Sequence, residues 1–384
     1  MSRFARRMTH IQPFHVMALL ARARELEAGG RSIIHMEIGE PDFVTPSPVV
    51  EAGIRALREG RTHYTPAVGL TALRHRLSGF YRERYGIDVG AHRIIITPGA
   101  SAALQLVLSV LVDPGDRVLM ADPGYPCNRN FVHLLNGIPV GLPVDADTNY
   151  QPDAATVRAA WTGPVAALLV ASPSNPTGTL LTEADIRALF ALTQSHGSRL
   201  VVDEIYHGLT YDEPAATALA VSADIFVINS FSKYFGMTGW RLGWLVAPAE
   251  AVGELDKLAQ NLFLAAPTLA QYAALSAFDS ENIAILEARR REFRARRDYL
   301  LPALRGLGFG ITGTPEGAFY LYADCSRFTD DSYRFSKQLL EETGVAITPG
   351  NDFGIHRSER HVRFAYTTSL ENLQEGVHRL KAYL

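Results

Sequence analysis

Residues 225–233 read Ile-Phe-Val-Ile-Asn-Ser-Phe-Ser-Lys, and Arg241 follows further along the same segment. The first four residues form an apolar run of β type that ends abruptly at small polar residues. Serine hydroxyls and a guanidinium are phosphate ligands, and an amine among them can capture a carbonyl group. We therefore predict that Lys233 stands at the exit of a buried strand, in a site for a phosphorylated carbonyl compound. A Ser-x-Ser-Lys segment also occurs in ordinary surface turns, so the interpretation depends on the rest of the chain.

Short strands rich in Val, Ile and Leu alternate with helical segments through the middle of the chain. The predicted strands span 93–97, 117–121, 137–142, 165–171, 200–202, 225–228 and 242–247. Near-continuous apolar strands separated by helices are typical of a mostly parallel sheet that is covered on both faces. The sequence therefore predicts an α/β fold whose large domain contains a mostly parallel seven-stranded sheet covered by helices.

The two ends of the chain have a different pattern. Strands at 320–322 and 361–366 and helices at 331–343 and 370–384 indicate a smaller α+β unit. The first 45 residues show no strand–helix alternation, and we expect them to pack with that unit. The predicted large domain is therefore 46–285, and the predicted small domain is formed by 1–45 and 286–384.

Composition excludes several classes of protein. The chain has 384 residues, 47% of them hydrophobic, and a net charge of −3, which favours neither nucleic acid nor a membrane surface as a partner. We find no signal peptide and no apolar run long enough to span a membrane, so the expected location is cytoplasmic. Cys127 and Cys325 are far apart, which predicts neither a disulfide framework nor a metal site. The arginine-rich segment 287–297 is interleaved with Glu at helical spacing, and we interpret it as a solvated helix face.

Polar residues follow several of the predicted strands, where ligands bind in open α/β sheets. Gly99-Ala100-Ser101 joins a strand to a helix, and such a turn provides backbone N–H groups and a helix dipole for an anion. Asp203 ends a buried strand and needs a cationic partner, such as a protonated pyridine nitrogen. Asn175 and Tyr206 could reach an oxygen on the same ring. Taken singly, Asp203 could be a helix N-cap, Tyr206 a core residue and Asn175 part of a local turn, but together with Lys233 they fit pyridoxal phosphate.

Four segments, in this order and at this spacing, resemble the class I/II aminotransferases: Asn175–Gly178, Asp203–Tyr206, Ser230–Lys233 and Arg241. These are pyridoxal-phosphate enzymes with the aspartate aminotransferase fold, also called fold type I. The similarity extends over nearly the whole chain and includes Gly39–Phe43, Tyr64–Leu70, Asp122–Pro126, Pro315–Tyr320 and Thr348–Gly350. Several short motifs in one order are far more specific than any single motif.

The resemblance implies a role for each matching position. Lys233 would form a Schiff base with the cofactor and carry a proton, Asp203 would keep the ring nitrogen protonated, and Tyr206 would bind the ring oxygen. The residues that would hold pyridoxal phosphate are Ala100, Ser101, Tyr125, Asn175, Asp203, Tyr206, Ser230, Ser232, Lys233, Arg241 and, from a neighbouring subunit, Tyr64. The residues that would bind the substrate are Gly39, Asn175 and Arg363, of which Arg363 and the Gly39 backbone would contact the α-carboxylate. The resemblance thus implies a homodimer with shared active sites.

The motif set most resembles a transaminase that moves an amino group from an L-amino acid to a 2-oxo acid, 2-oxoglutarate or pyruvate, by a ping-pong mechanism. The same fold hosts lyases, so a pyridoxal-phosphate-dependent C–S or β-lyase is the alternative. A regulator without turnover would need a DNA-binding appendage, for which the first 45 residues are too few and insufficiently basic.

One aspartate-selective subgroup has a lysine directly after the glycines of the phosphate loop. Here Ala102 and Ala103 follow Ser101, which leaves neutral or aromatic amino acids open as donors.

Overall fold

The computed structural model describes residues 4–384. Its strands are β1 (Ile34–His35), β2 (Ile94–Thr97), β3 (Arg117–Asp122), β4 (Ile138–Pro143), β5 (Val165–Ala171), β6 (Arg199–Asp203), β7 (Phe226–Ser230), β8 (Gly243–Val246), β9 (Tyr320–Asp324), β10 (Val345–Ala346), β11 (Thr348–Pro349) and β12 (His361–Ala365). Its α-helices are α1 (His15–Ala28), α2 (Ser47–Arg58), α3 (Thr71–Tyr85), α4 (Ala100–Leu111), α5 (Pro126–Leu134), α6 (Ala154–Ala160), α7 (Glu183–Ser195), α8 (Val252–Leu262), α9 (Thr268–Ala274), α10 (Ser280–Leu307), α11 (Ser332–Thr343) and α12 (Leu370–Tyr383).

A seven-stranded sheet occupies the centre, in the strand order β2-β8-β7-β6-β5-β3-β4. The strands from β7 to β4 along this order are mutually parallel, whereas β8 is antiparallel to both β2 and β7. The predicted α/β fold with a mostly parallel seven-stranded sheet is therefore confirmed. The carboxyl ends of β5, β6 and β7 are adjacent because these three strands are parallel neighbours.

Both faces of the central sheet are buried. Ile94 and Ile96 of β2 pack into one hydrophobic cluster, and Ile95 between them packs into a second cluster together with residues of α4 and α8. Successive side chains of a strand point to opposite faces, so a strand that is covered on both sides must be apolar at every position. This is the physical reason why the central strands have no alternation of polar and apolar residues.

Two smaller sheets lie outside the central one. Strands β11, β12 and β9 form an antiparallel sheet in that order, and β1 pairs in parallel with β10, placing Ile34 opposite Val345. The pairing of β1 with β10 joins the two ends of the chain. We propose on this basis that 46–285 is one domain and that 1–45 and 286–384 form the other, although residues 1–3 lie outside the described part of the chain.

Three observations concern membranes, metals and thiols. No helix within residues 4–384 is long and apolar enough to cross a membrane. Over the same residues, no group of three or more His, Cys, Asp or Glu side chains is arranged to hold a metal ion. Cys127 is partly buried and Cys325 is buried, and both are free thiols.

The arginine-rich segment lies in α10, and its interpretation as a solvated face is wrong for two residues. Arg296 and Arg297 are each only 3% exposed. Arg296 Nη1 is 2.8 Å from Asp42 Oδ1, and Arg297 Nη1 is 2.9 Å from Asp212 Oδ2. A buried guanidinium is tolerated when an acid pairs with it. These acids come from distant segments, so the pattern within the helix could not indicate the burial.

His35 of β1 should make stability depend on pH. Its Nδ1 is 2.7 Å from Oε1 of the fully buried Glu37, and its Nε2 is 3.1 Å from Glu27 Oε1. The hydrogen bond to Glu37 raises the pKa of His35 from 6.5 to about 9, against the opposing effect of burial. Because the pKa is higher in the folded state than in the unfolded state, this stabilisation is fully present below pH 6.5 and is lost as pH rises through about 9.

We therefore expect His35→Gln to lower the free energy of unfolding at pH 6 and to have progressively less effect as the pH rises above 9. Chemical denaturation across this pH range measures the difference. His75→Gln, at an exposed histidine of α3, is the control and should show no such dependence. A constant difference between wild type and His35→Gln at every pH would contradict the assignment.

Candidate active site

Three predicted residues meet at the carboxyl edge of the central sheet. Asn175 follows β5, Asp203 ends β6 and Lys233 follows β7. Because these strands are parallel neighbours, their carboxyl ends project the three side chains toward the same region. Asn175 and Lys233 line a cavity of about 240 Å³ that also contains Tyr206 and Arg363.

Lys233 is held inside this cavity. Its Nζ donates a hydrogen bond to the Gly39 carbonyl oxygen at 2.7 Å and lies 5.9 Å from the centroid of the Tyr206 ring. Burial lowers the pKa of the Lys233 amine to about 8. A lowered pKa increases the neutral fraction of an amine, and the neutral form is the nucleophile.

Asp203 is a buried acid with few partners. It is 4% exposed, and its Oδ1 accepts a hydrogen bond from the Ile205 N–H at 3.1 Å. Burial raises the pKa of the Asp203 carboxyl to about 7, although the Ile205 N–H and the Lys233 charge act in the opposite direction. A cation placed against this carboxylate would offset the cost of burying it.

The residues predicted to bind phosphate surround the start of α4: Ala100, Ser101, Ser230, Ser232 and Arg241. Ser230 Oγ is 2.9 Å from Ser232 Oγ, and both serines are buried. Ser230 is opposite Gly243 in the sheet, and a Cβ on Gly243 would lie 2.8 Å from the Ala100 nitrogen. Gly99 precedes α4 with φ +80°, and a Cβ there would lie 2.6 Å from Arg241 Nη2. Gly99 and Gly243 thus keep space free between the serines, the arginine and the start of α4. The N–H groups of the first turn of this helix have no partner within the helix.

Arg363 of β12 reaches the same cavity from the smaller sheet. It is 5% exposed, its Nη1 donates to Asn175 Oδ1 at 2.8 Å, and its Nη2 donates to the Glu37 carbonyl at 2.7 Å. Its Nε is buried and has no hydrogen-bond partner among the described residues. A guanidinium that is fixed in this way presents a planar fork, which suits a carboxylate.

The two remaining predicted residues differ in position. Tyr125 precedes α5 and lines the cavity, and burial raises the pKa of its hydroxyl above the ordinary range. Tyr64 is 83% exposed and, within residues 4–384, is not among those that line the cavity. The fold therefore brings together every predicted residue except Tyr64, whose predicted role belongs to a neighbouring subunit.

Several residues that shape the cavity were not given a role from the sequence. Tyr320 and Thr348 lie in two of the short motifs, so a signal was present but did not indicate what they contact. Asp352 accepts the N–H groups of His15 and Val16 at 2.8 Å each, which fixes the start of α1 beside the cavity. Further side chains from three separate segments line the cavity: Phe14, Val16, Met17, Tyr320, Thr348, Asp352 and Phe353.

The fold is that of the pyridoxal-phosphate-dependent transferases of fold type I. Residues 31–380 match the family described as "Aminotransferase class I and II", whose members depend on pyridoxal phosphate. This chain belongs to that family and is a transaminase.

Curated relatives and solved structures match over almost the full length of the chain. The "(5-formylfuran-3-yl)methyl phosphate transaminase" of Methanocaldococcus jannaschii is 37% identical over 99% of both chains. The "Valine--pyruvate aminotransferase" of Mycobacterium tuberculosis is 37% identical over 97% of both. The structure of the aspartate aminotransferase from Thermus thermophilus with maleate superposes with a TM-score of 0.94 at 35% identity, covering 100% of both chains. These relatives are named for different substrates, so similarity alone does not identify the substrate of this chain.

Proposed function

We propose that this transaminase binds pyridoxal phosphate and moves an amino group from a neutral or aromatic L-amino acid to a 2-oxo acid, 2-oxoglutarate or pyruvate, by a ping-pong mechanism. The observation that carries the proposal is that Lys233 and Arg363 line one cavity and that the charge of Lys233 acts on the buried Asp203 at the end of the neighbouring strand β6. The pKa of the lysine is lowered to about 8 and that of the acid is raised to about 7, so both are set by burial toward neutral pH. Such shifts at clustered titratable groups are typical of active sites.

The residues present fit this cofactor. Asp203 is buried without a full set of partners, as expected for an acid that pairs with a pyridinium nitrogen. Gly99 and Gly243 leave room at the start of α4, where N–H groups, two serines and Arg241 could hold a phosphate. Bound pyridoxal phosphate would supply a carbonyl for the substrate amine and an electron-poor ring that acidifies the α-hydrogen.

The protein's own residues would bind, orient and move protons. Lys233 Nζ would be the attachment point for the cofactor and would then carry the α-proton, since it lies inside the cavity and its lowered pKa of about 8 gives the amine a neutral fraction at physiological pH. Tyr206 and Asn175 would donate hydrogen bonds to the cofactor's ring oxygen. Arg363 would clamp the substrate carboxylate, and this clamp would fix which bond at the α-carbon is aligned to break.

The rest of the cavity supports a donor without a distal negative charge. Phe14, Val16, Met17 and Phe353 provide an apolar wall. Asp352 adds a carboxylate, and over residues 4–384 the cations that line this cavity are Lys233 and Arg363, both of which already have roles. A distal carboxylate would therefore be desolvated without a partner, which is costly.

Exposed apolar residues support a homodimer with shared active sites. Tyr64 and Leu264 are 83% and 57% exposed. Their segments are neighbours, because Thr268 Oγ1 donates to the His63 carbonyl at 2.9 Å. Exposed apolar side chains that cluster in this way are typical of a protein–protein interface. We propose that Tyr64 of one subunit completes the phosphate site of the other.

A panel of L-amino acids tests the proposed reaction. The purified protein is loaded with pyridoxal phosphate and mixed with each amino acid in the absence of an acceptor, and its near-ultraviolet and visible absorbance is followed. We expect neutral and aromatic donors to change the spectrum faster than aspartate does, and 2-oxoglutarate or pyruvate to restore it. Release of pyruvate and ammonia from cysteine-type substrates without any acceptor would instead indicate a lyase. No spectral change with any amino acid would contradict the proposal.

A further inference from the structure

Tyr320 of β9 contacts two parts of the site at once. It is 1% exposed, its ring centroid is 4.2 Å from Arg363 Cζ, and its hydroxyl oxygen is 2.8 Å from the Tyr206 hydroxyl oxygen. Its hydroxyl also occupies the space beside Gly39, because a Cβ on Gly39 would collide with it. Gly39 in turn accepts the hydrogen bond from Lys233. One side chain therefore lies between the predicted carboxylate clamp and the predicted ligand of the ring oxygen.

We propose that Tyr320 is a positioning residue that couples the two halves of the site: its ring orients Arg363 for the substrate carboxylate, and its hydroxyl orients Tyr206 toward the cofactor. This inference rests on the proposed function, since the roles of Arg363 and Tyr206 are part of it.

Two aromatic rings stack on the Arg363 guanidinium. Its Cζ is 4.2 Å from the centroid of the Tyr320 ring and 4.8 Å from the centroid of the Phe353 ring. Tyr320 is opposite Ala365 in the sheet, so it is a diagonal neighbour of Arg363 on the adjacent strand. A desolvated cation over an aromatic face is attracted by the ring, and the stack also prevents the fork from tilting. Removing the ring should therefore weaken carboxylate binding without removing a ligand of the carboxylate.

The hydroxyl of Tyr320 acts on Tyr206. Burial raises the pKa of Tyr206 well above its ordinary value, so Tyr206 is a neutral donor. The charged groups that face it are Arg363, Asp203 and Lys233. When Tyr206 donates to an anionic ring oxygen, its own oxygen can accept a hydrogen bond from Tyr320. Two hydrogen bonds in such a chain polarise each other, so the second strengthens the first.

Two substitutions separate the two effects. Tyr320→Phe keeps the ring and removes the hydroxyl, whereas Tyr320→Leu removes both. The orientation of Arg363 is probed with 3-phenylpropionate, a carboxylate without an amino group. Its Kd is measured on the cofactor-loaded protein. We expect Kd to rise on the order of tenfold in Tyr320→Leu and at most about twofold in Tyr320→Phe. Tyr320→Met, whose side chain adapts to irregular space, replaces the leucine variant if that variant does not fold.

The orientation of Tyr206 is measured by the pH midpoint of the bound cofactor's absorbance change. A hydrogen bond donated to an anionic oxygen stabilises the charged form. Weakening that bond in Tyr320→Phe should raise the midpoint by roughly 0.3 pH units. Tyr322→Phe is the matched control, because Tyr322 is on the same strand, its hydroxyl is buried with no hydrogen-bond partner within residues 4–384, and its ring stacks on His361. This control should change neither Kd nor the midpoint.

The outcomes are distinguishable. If wild type shows no absorbance from bound pyridoxal phosphate, the proposed function fails. If wild type binds the cofactor but Kd is unchanged in the variant without the ring, or the midpoint is unchanged in Tyr320→Phe, the coupling through Tyr320 fails and the proposed function stands. Equal changes in Tyr322→Phe would mean that the effects arise from general loosening of β9, which also overturns the inference.

Discussion

Lys233→Ala should abolish transamination, with kcat reduced at least roughly 10³-fold, the size of effect that a positioned proton carrier supplies. The reason is that the Lys233 amine is the proposed attachment point and the proposed proton carrier in the cavity. A second measurement is independent of turnover. Borohydride treatment should fix pyridoxal phosphate covalently to the wild-type protein and not to the variant.

The folded state should tolerate this substitution. Burial disfavours the charged form of the Lys233 amine, as its lowered pKa of about 8 indicates, so its removal relieves a desolvation cost. Lys257→Ala is the control, because Lys257 lies on the exposed surface of α8 and pairs there with Glu254. Normal turnover in Lys233→Ala, or covalent fixation of the cofactor in that variant, would end the proposal.

The second large effect is expected for Arg363→Lys. The variant keeps the positive charge but loses the planar fork, so KM for amino acid donors should rise on the order of 100-fold, while the cofactor remains bound. The arginine donates hydrogen bonds to Asn175 Oδ1 and to the Glu37 carbonyl at the same time, and the lysine cannot reach both. One buried acceptor would therefore lose its donor.

Steady-state kinetics with several donors check this expectation. Because the α-carboxylate is common to all amino acids, the rise in KM should be similar for every donor. Arg360→Lys is the matched control, since Arg360 precedes the same strand and its side chain is 57% exposed. Unchanged KM values in Arg363→Lys, or a rise restricted to one donor, would contradict the carboxylate role.

Much of the site could be predicted from local sequence because of one property of parallel sheets. The strands before Asn175, Asp203 and Lys233 are buried apolar runs, and parallel strands bring their carboxyl ends to the same edge. Once the alternation of strands and helices is recognised, the meeting of these residues follows without knowledge of the packing. The anion site at the turn before α4 could also be predicted from adjacent residues, because the start of a helix provides its own free N–H groups.

The contacts between distant segments could not be predicted in this way. Arg363 meets Asn175 across 188 positions, and the sequence motifs indicate both residues without showing that the two side chains touch. The same limit explains the error at Arg296 and Arg297. Their spacing with Glu along the helix is that of a solvated face, but Asp42 and Asp212 approach from elsewhere and make burial tolerable.

The sequence by itself determined the family and the α/β architecture, and it predicted the lysine, the acid and the phosphate-binding residues, because periodicity and short motifs are local properties of the chain. Only the tertiary structure decided the position of Tyr320 between Arg363 and Tyr206, the pairing of β1 with β10 and the apolar wall beside α1. These depend on which distant surfaces pack together. That packing is set by the shape and burial of whole elements and leaves no periodic signal in the sequence.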